Sequence, residues 1–227
     1  MCGRFAQHTP LPVLQKTFLI HTITCDVTPS YNIAPSQEVI AVINPDGNRK
    51  LGKLYWGLVP DWSKDLSRAA KIINARAETL KEKPSFRNAY QQRRCLIIAD
   101  GFYEWKKDSR HKQPFYITLP SGVPFAFAGL YETWKGNNGV SYNSCTIITT
   151  RASESVQPIH DRMPIILRPE ATEDWLNQRI QNAARLDELL HEGHFRDLKN
   201  FPVTKYVNDV HNTDQRCIKE AEQVQSV

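Results

Sequence analysis

The chain has 227 residues, a formal net charge of +5 and five cysteines. No Gly/Ser-rich or Pro-rich run divides it, so we expect a single domain over residues 1–227 with one sizeable core. It contains no basic segment followed by an apolar stretch and no apolar run long enough to span a bilayer. These absences argue against export and membrane insertion and favour a cytoplasmic location.

The cysteines follow no metal-binding or disulfide pattern. They are odd in number, widely spread and without a Cys-x-x-Cys pair, at positions 2, 25, 95, 145 and 217. This distribution argues against a disulfide framework and against a zinc site, and we expect neither a metal ion nor a cofactor.

Runs of apolar, β-branched and aromatic residues predict strands at 38–43, 53–59, 95–105, 114–119, 124–131, 145–150 and 163–167. Helical patterns are shorter and occur at 11–19, 75–82, 86–92 and 169–178, with one more indicated by Leu186, Leu189 and Leu190. Strands outnumber helices without strict βαβ alternation. We therefore expect an α+β fold with a curved or barrel-like, mostly antiparallel β core and flanking short helices.

Positive charge is concentrated in one part of the chain. Residues 64–112 contain 13 Lys or Arg and 6 Asp or Glu. Such an excess is typical of a surface that meets a polyanion, although a solvated charged face is the commoner explanation. Trp62 lies close to this segment, and aromatic residues beside cations are what single-stranded nucleic acid uses for stacking. A buried tryptophan is the competing interpretation.

Cys2 follows the initiator Met1 and precedes Gly3 and Arg4. Removal of Met1 would leave an amine and a thiol on adjacent carbons, a 1,2-aminothiol that condenses with aldehydes to a thiazolidine. The terminal amine has a reference pKa of about 7.8 against about 10.4 for lysine, so far more of it is neutral at pH 7. A cysteine at this position by chance is the alternative.

Three polar segments lie among apolar ones. Asn74 precedes a helical pattern, which predicts a helix N-cap. Glu104 stands between Tyr103 and Trp105, where a raised pKa would suit proton transfer, but a strand glutamate facing solvent fits equally well. His160 is an acid/base candidate by its ordinary pKa, although a single histidine is more often structural.

Six short motifs occur in order. They are Met1-Cys2-Gly3-Arg4-Phe5, Tyr31-Asn32-Ile33-Ala34-Pro35, Trp56-Gly57-Leu58-Val59-Pro60, Asn74-Ala75-Arg76-Ala77-Glu78, Ala99-Asp100-Gly101-Phe102-Tyr103-Glu104-Trp105 and His160-Asp161-Arg162-Met163-Pro164. Together they resemble the SRAP family, the SOS response-associated peptidases. The likeness extends from Cys2 to the segment Val207-Asn208-Asp209-Val210.

The resemblance implies the SRAP fold and a protein that recognises abasic sites in single-stranded DNA. It implies a covalent crosslink through a thiazolidine at Cys2 that shields the lesion during the DNA damage response. The implied partner is single-stranded DNA with abasic sites, with the protein acting as a monomer that associates with the nucleoid when bound. Peptidase and lyase-type activities are also implied.

The resemblance carries over roles for individual residues. Cys2 supplies the amine and thiol, Asn74 orients the Cys2 backbone or amine, and Glu104 and His160 move protons during sugar ring opening and thiazolidine closure. The positions expected to hold phosphates are Arg4, Arg76 and Arg162. Pro35 and Trp62 match the region that wedges and stacks bases. Family members often have a second tryptophan beside the wedge, whereas Asp61 and Ser63 flank Trp62 here.

Three other functions are compatible with parts of the pattern. Class II glutamine amidotransferases also begin Met-Cys-Gly, but they usually continue with Ile instead of Arg4, and their downstream glutaminase pattern is missing. A thiol peptidase would use Cys2 as nucleophile and His160 as base, and removal of its own Met1 would satisfy that label. A noncovalent single-strand binder would need only the arginines and Trp62.

Overall fold

The polypeptide is built around two β-sheets. The computed structural model describes residues 2–66, 71–107, 112–136 and 139–221. The strands in chain order are β1 (Phe5–Gln7), β2 (Thr22–Ile23), β3 (Ser30–Ile33), β4 (Glu38–Ile43), β5 (Lys50–Trp56), β6 (Asn74–Arg76), β7 (Arg94–Ala99), β8 (Gly101–Lys107), β9 (Lys112–Thr118), β10 (Phe125–Lys135), β11 (Ser141–Arg151), β12 (Arg162–Pro164), β13 (Ile166–Leu167) and β14 (Lys199–Pro202).

The larger sheet closes on itself. Its strand order is β12-β11-β10-β7-β4-β5-β2, and β5 also pairs with β11, so that β11, β10, β7, β4 and β5 form a ring. Most pairings are antiparallel, while β2 with β5, and β5 and β6 with β11, are parallel. The smaller sheet has the order β14-β9-β8-β1-β3. The predicted α+β fold with a barrel-like, mostly antiparallel core is confirmed.

Helices cover one side of the barrel strands. They are α1 (Leu11–Thr17), α2 (Pro84–Gln92), α3 (Pro169–Leu176) and α4 (Ala183–Glu192). The first three have proline in the first turn, where the missing N–H costs no hydrogen bond. The side chain of Asn182 caps α4 by accepting from two backbone amides. In the described part of the chain, no helix is long and apolar enough to cross a membrane.

Two predicted strands end earlier than expected. The run 53–59 was predicted as one strand, but β5 stops at Trp56 because Gly57 has φ of 144°, which strand geometry does not allow. The run 95–105 divides at Asp100 into β7 and β8, which belong to different sheets. The carboxylate of Asp100 accepts the backbone amides of His8 and Thr9, the latter at 2.9 Å. It therefore binds the start of the chain to the division between the sheets.

The helix predicted at 75–82 is wrong. Residues 74–76 form strand β6, which pairs in parallel with β11, and only a short 3-10 helix, Ala77–Thr79, follows. The backbone of this segment finds its hydrogen-bond partners on β11, with the Ile147 amide donating to the Ile73 carbonyl at 3.1 Å. Tertiary pairing thus overrides the local helical pattern.

Alternate residues of the barrel strands contribute to two different hydrophobic clusters. One cluster contains Leu96 and Ile98 with helix residues such as Trp175. The other contains Cys2 and Phe5 with side chains from both sheets. The Phe5 ring packs edge-on against Trp56 at 5.1 Å between centroids. Because Phe5 is fully buried, the N-terminal segment is held at a defined place in the core.

Candidate functional site

Cys2 lies in the interior, three residues before β1. Its side chain is fully buried, and its Sγ lies 3.9 Å from the carbonyl oxygen of Arg4. The side-chain amide of Asn74 donates to the Cys2 carbonyl at 2.8 Å. Asn74 belongs to β6, where it pairs with Ile147, so the predicted helix N-cap is wrong. The strand pairing aims this side chain at the N-terminal segment.

The oxygen of the same Asn74 side-chain amide remains available to accept a hydrogen bond. Oδ1 of Asn74 is buried and accepts no hydrogen bond from any residue that the structure describes. A buried carbonyl without a donor costs free energy, so such atoms in folded proteins commonly serve a ligand or a reacting group. The acceptor lies on the same amide whose nitrogen holds the Cys2 backbone.

Glu104 and His160 form a second pair of titratable groups. Oε2 of Glu104 lies 4.0 Å from Nε2 of His160, and the two side chains are 5% and 28% exposed. Burial raises the pKa of the Glu104 carboxyl, and the neighbouring His160 opposes the shift. Burial also raises the pKa of the Cys2 thiol, and Glu104 raises it further. The thiol is therefore neutral at physiological pH, and Glu104 is close enough to influence it.

The orientation of the His160 ring follows from its other nitrogen. Nδ1 accepts the backbone amide of Arg162 at 3.0 Å, which requires a lone pair on Nδ1 and places the proton of a neutral ring on Nε2. Asp161 Oδ1 lies 2.9 Å from the same Nδ1 and would favour a proton there. Because the Asp161 side chain is 86% exposed, water screens its charge, and we assign the proton to Nε2, facing Glu104.

The three predicted phosphate-binding arginines differ in their surroundings. Arg76 is exposed at the end of β6, and its side chain makes no hydrogen bond or ion pair with the residues described here. Arg162, on β12, is held by both carboxylate oxygens of Glu78 at 2.6 and 3.0 Å. Its Nη2 also donates to the carbonyl of Thr149 at 2.8 Å. Arg76 and Arg162 approach the same strand, since Thr149 is the register partner of Arg76.

Arg4 is engaged inside the protein. Its Nη1 donates to Asn32 Oδ1 at 2.7 Å and to the carbonyl of Val207 at 2.9 Å. Its guanidinium lies over the Trp105 ring, 5.7 Å from the centroid, and burial lowers its pKa. These contacts tie the first residues of the chain to the segment after β14. A phosphate contact by Arg4 remains a prediction that competes with this structural role.

The predicted stacking residues lie in turns. Trp62 is 52% exposed in a turn closed by the Ser63 amide donating to the Pro60 carbonyl at 2.9 Å. Pro35 occupies the first corner of a turn in which Ser36 has a φ of 71°. An exposed tryptophan on a hydrogen-bonded turn is suited to stacking on a base. The burial alternative for Trp62 is excluded.

Reasoning from sequence assigned no role to two residues of this region, Glu78 and Asn32. Glu78 binds Arg162 and is the last residue of the Asn74 motif. Asn32 is fully buried and donates to the carbonyls of Val207, Asp209 and Asn212. Both belong to motifs that were noticed, but only the folded chain reveals their partners. Among the described residues, no group of three or more His, Cys, Asp or Glu side chains could hold a metal ion.

Comparison with known proteins identifies the family. The family profile described as SOS response associated peptidase (SRAP) matches residues 1–210. The chain belongs to the SRAP family. It is 44% identical to "Abasic site processing protein YoqW" of Bacillus subtilis (strain 168), over 96% of this chain and 99% of that protein. It is 32% identical to "Abasic site processing protein YedK" of Escherichia coli (strain K12), over 96% of this chain and 99% of that protein.

The similarity extends to animals and to solved structures. The SRAP chain is 30% identical to "Abasic site processing protein HMCES" of Xenopus tropicalis, over 84% of this chain and 65% of that protein. A crystal structure of a Bacteroides thetaiotaomicron protein superposes with a TM-score of 0.75 at 27% identity, covering 85% of this chain and 86% of that one. A Bordetella bronchiseptica protein gives a TM-score of 0.77 at 25% identity, covering 89% and 100%.

Proposed function

We propose that this SRAP protein recognises abasic sites in single-stranded DNA and becomes covalently joined to them through Cys2. One arrangement carries the proposal. Asn74 binds the backbone of Cys2, and Glu104 lies beside His160 and raises the pKa of the Cys2 thiol. The similar proteins named as abasic site processing proteins support it. An abasic site is the place at which DNA offers an aldehyde to an aminothiol.

The reaction begins with the amine. Once Met1 is removed, the Cys2 nitrogen adds to the aldehyde carbon, and the carbinolamine loses water to give an imine. The sulfur then bonds to the same carbon, and the thiol proton ends on the ring nitrogen, which closes the thiazolidine without any oxidant. Because the pKa of the thiol is raised by burial, little thiolate is present to attack first. The neutral amine, with a reference pKa of about 7.8, is therefore the initial nucleophile.

Asn74 positions this amine. Its Nδ2 binds the Cys2 carbonyl at 2.8 Å, and its buried Oδ1 has no donor among the residues described. A freed amine on Cys2 has N–H groups to donate to an acceptor of this kind. The hydrogen bond would aim the nitrogen lone pair at the incoming carbon, which is the benefit of fixing two reactants in one geometry.

Glu104 acts mainly as the proton donor for sugar ring opening. An abasic sugar is mostly a closed hemiacetal, so its ring oxygen must receive a proton before the aldehyde is available. The raised pKa of Glu104 keeps more of this carboxyl protonated near neutrality than an exposed glutamate. His160, with Nε2 4.0 Å from Glu104, assists by holding the sugar and sharing protons. Such acid/base help contributes about 10²- to 10⁴-fold.

DNA is held next to this centre by charge and stacking. Arg76 is exposed and unpaired among the described residues, and Arg162 lies on β12, which pairs with β11 as the strand of Arg76 does, so both suit phosphates. Trp62 and Pro35 contact the bases, and Arg4 adds a phosphate contact by exchanging its internal bonds to Asn32 and Val207. The protein acts as a single-domain monomer in the cytoplasm and joins the nucleoid through its DNA. Its peptidase activity is limited to Met1, and reversal of the crosslink is its lyase-type step.

The test is a crosslinking assay with abasic single-stranded DNA. The wild-type protein should give an adduct that survives boiling in denaturant, with an intact mass equal to protein plus DNA minus one water. Cys2→Ala should abolish it. Cys25→Ala removes a half-buried thiol outside the site and should change nothing. Cys2→Ser keeps the amine and should give only an imine that borohydride must trap. A stable adduct from Cys2→Ala without borohydride would overturn the proposal.

A further inference from the structure

Glu78 is a motif residue to which the proposed reaction gives no role. It lies in the 3-10 helix after β6, and its two carboxylate oxygens receive Nη1 and Nη2 of Arg162 at 2.6 and 3.0 Å. The Glu78 side chain is 48% exposed and that of Arg162 only 13%. A carboxylate presents two oxygens to the guanidinium fork in the same manner as a phosphate. Glu78 therefore occupies the position on Arg162 that a phosphate would take.

Arg162 cannot present its Nη1–Nη2 fork to two anions at once. Nη1 binds Glu78, and Nη2 is shared between Glu78 and the Thr149 carbonyl at 2.8 Å. The remaining Nε is buried and has no hydrogen-bond partner among the described residues. A DNA phosphate can engage the fork only by replacing the carboxylate of Glu78. Because Glu78 is the more exposed partner, it is the side chain that can move.

The surroundings offer Glu78 a second position. Arg151 is the register partner of Arg162 across β11 and β12, and it is exposed. The pKa of Glu78 is lowered first by its hydrogen bond to Arg162, and the charge of Arg151 contributes in the same direction. A cavity of about 720 Å³ opens here, and both Glu78 and Arg151 line it. The displaced carboxylate thus has space and a cation within reach.

We propose that Glu78 is a specificity-determining residue, whose carboxylate stands in for a backbone phosphate on Arg162 in the free protein and moves to Arg151 when single-stranded DNA binds. The inference rests on the proposed function, because it assumes that Arg162 holds a phosphate of the damaged strand. Because DNA must displace Glu78 from Arg162, the exchange lowers the affinity of the protein for all single-stranded DNA, damaged or undamaged. Undamaged DNA is released, whereas a strand captured covalently at Cys2 stays. Glu78 thereby biases the protein toward lesions.

The experiment measures noncovalent binding of undamaged single-stranded DNA by fluorescence anisotropy, with every variant built on Cys2→Ala. Glu78→Gln keeps the size of the side chain but removes the competing charge. We expect affinity to rise about three- to tenfold. Glu188→Gln is the matched control, because Glu188 is 49% exposed, pairs with Arg185 at 2.9 Å and lines the same cavity. It should leave affinity unchanged, which separates the exchange from an effect of net charge.

Two further variants test the two arginines between which the Glu78 carboxylate is proposed to move. The gain from Glu78→Gln should disappear in Arg162→Ala, because no fork remains to be released. Arg151→Ala should weaken binding when Glu78 is present and have no effect in Glu78→Gln. Thermal melting of each variant, with Glu78→Ala as a second substitution, shows whether folding is preserved.

Two outcomes overturn the inference. Weaker or unchanged binding by folded Glu78→Gln would mean that Glu78 positions Arg162 and does not compete with DNA. Undiminished binding by Arg162→Ala would mean that no phosphate uses this fork. The covalent step is judged separately, by the boiled adduct of the protein with native Cys2. The exchange at Glu78 and the capture at Cys2 can therefore fail independently.

Discussion

The proposed reaction centre and the cationic rim differ in how far water screens their charged groups. The reaction centre, formed by Cys2, Asn74, Glu104 and His160, is largely buried, with Cys2 fully enclosed and the Glu104 side chain 5% exposed. In the cationic rim, formed by Arg76, Arg151, Arg162 and their partner Glu78, the side chains of Arg76 and Arg151 are exposed and that of Glu78 is 48% exposed, while that of Arg162 is 13% exposed. Desolvation shifts the pKa values of the centre, whereas solvent and salt screen the charges of the rim.

This difference separates chemistry from binding. The groups of the centre are fixed by strand pairing and burial, so their geometry exists before DNA arrives. The groups of the rim have to exchange partners, because Arg162 is neutralised by Glu78 in the free protein. Changes at the centre should therefore alter reaction rates by orders of magnitude. Changes at the rim should alter affinity by small, salt-dependent factors.

The largest effect is expected at Glu104. Glu104→Gln preserves size and hydrogen bonding but cannot transfer a proton, so formation and reversal of the crosslink should both slow by about 10²- to 10⁴-fold. A catalyst of a reversible step lowers the barrier in both directions. His160→Ala should be milder and more pH-dependent. Rates of single-turnover crosslinking at pH values from about 5.5 to 8 test this, spanning the reference pKa of histidine.

The sign of the pH dependence follows from the raised pKa of Glu104. The protonated acid is present below that pKa and is lost as the pH rises through it, so acid catalysis declines toward high pH. The amine shows the opposite trend, because its neutral form grows as the pH rises. The wild type should therefore have a rate maximum, whose alkaline side is missing in Glu104→Gln. A wild-type rate in Glu104→Gln together with an inactive His160→Ala would reverse the two roles.

The next largest effect is expected at Trp62. Its side chain is exposed like those of the rim, but it acts by stacking on a base and not by charge. Trp62→Ala should weaken binding of single-stranded DNA by about 1–3 kcal/mol for one stacked base, and Trp62→Phe should recover part of the loss. Val13→Ala is a suitable control, since Val13 on α1 is 47% exposed against 52% for Trp62. Anisotropy titrations at fixed salt provide the measurement. Equal affinity of Trp62→Ala and Val13→Ala would remove Trp62 from the interface.

Arg4 tests whether an arginine of the family pattern belongs to the interior or to the rim. Its bonds to Asn32 and to the Val207 carbonyl predict that Arg4→Ala lowers the free energy of unfolding by about 1–3 kcal/mol. Denaturant melts measure this loss. If stability is unchanged and the salt dependence of DNA binding becomes shallower, Arg4 binds phosphate as the resemblance implies.

The smallest effect is expected for Arg76. Single strands lose about 0.7 of the slope of log K against log salt for each phosphate contact removed. Arg76→Ala should flatten the slope by about that amount, with little dependence on base sequence. Lys16→Ala, an exposed cation of α1 remote from β6 in sequence, controls for net charge. A slope identical to that of the parent protein would exclude a phosphate contact at Arg76.

Much of the reasoning from sequence agrees with the fold because it concerns local or chemical properties. The strand 38–43 was predicted at the bounds of β4, and the helix 86–92 lies within α2. Alternating and 3.6-residue patterns report burial on one face, and the structure preserves those faces. The family, likewise, followed from short motifs in order, and residues 1–210 match its profile.

Other features depended on partners far apart in the chain. Asn74 precedes a helical pattern, and only pairing with β11 made it a strand residue that reaches Cys2. The run 95–105 was predicted as one strand, but it divides at Asp100, whose carboxylate accepts the amides of His8 and Thr9, and its halves join different sheets. Local sequence carries no information about such pairings, because backbone groups of any residue can make them.

The sequence by itself determined the reactive group, since an aminothiol requires only a cysteine behind a removable methionine. It also determined which residue types were available to move protons and bind phosphates. Only the tertiary structure decided their state. Burial raises the pKa values of Cys2 and Glu104, a carboxylate from another motif occupies Arg162, and internal acceptors hold Arg4. Each of these depends on desolvation and distance, which exist only once separate segments of the chain are packed together.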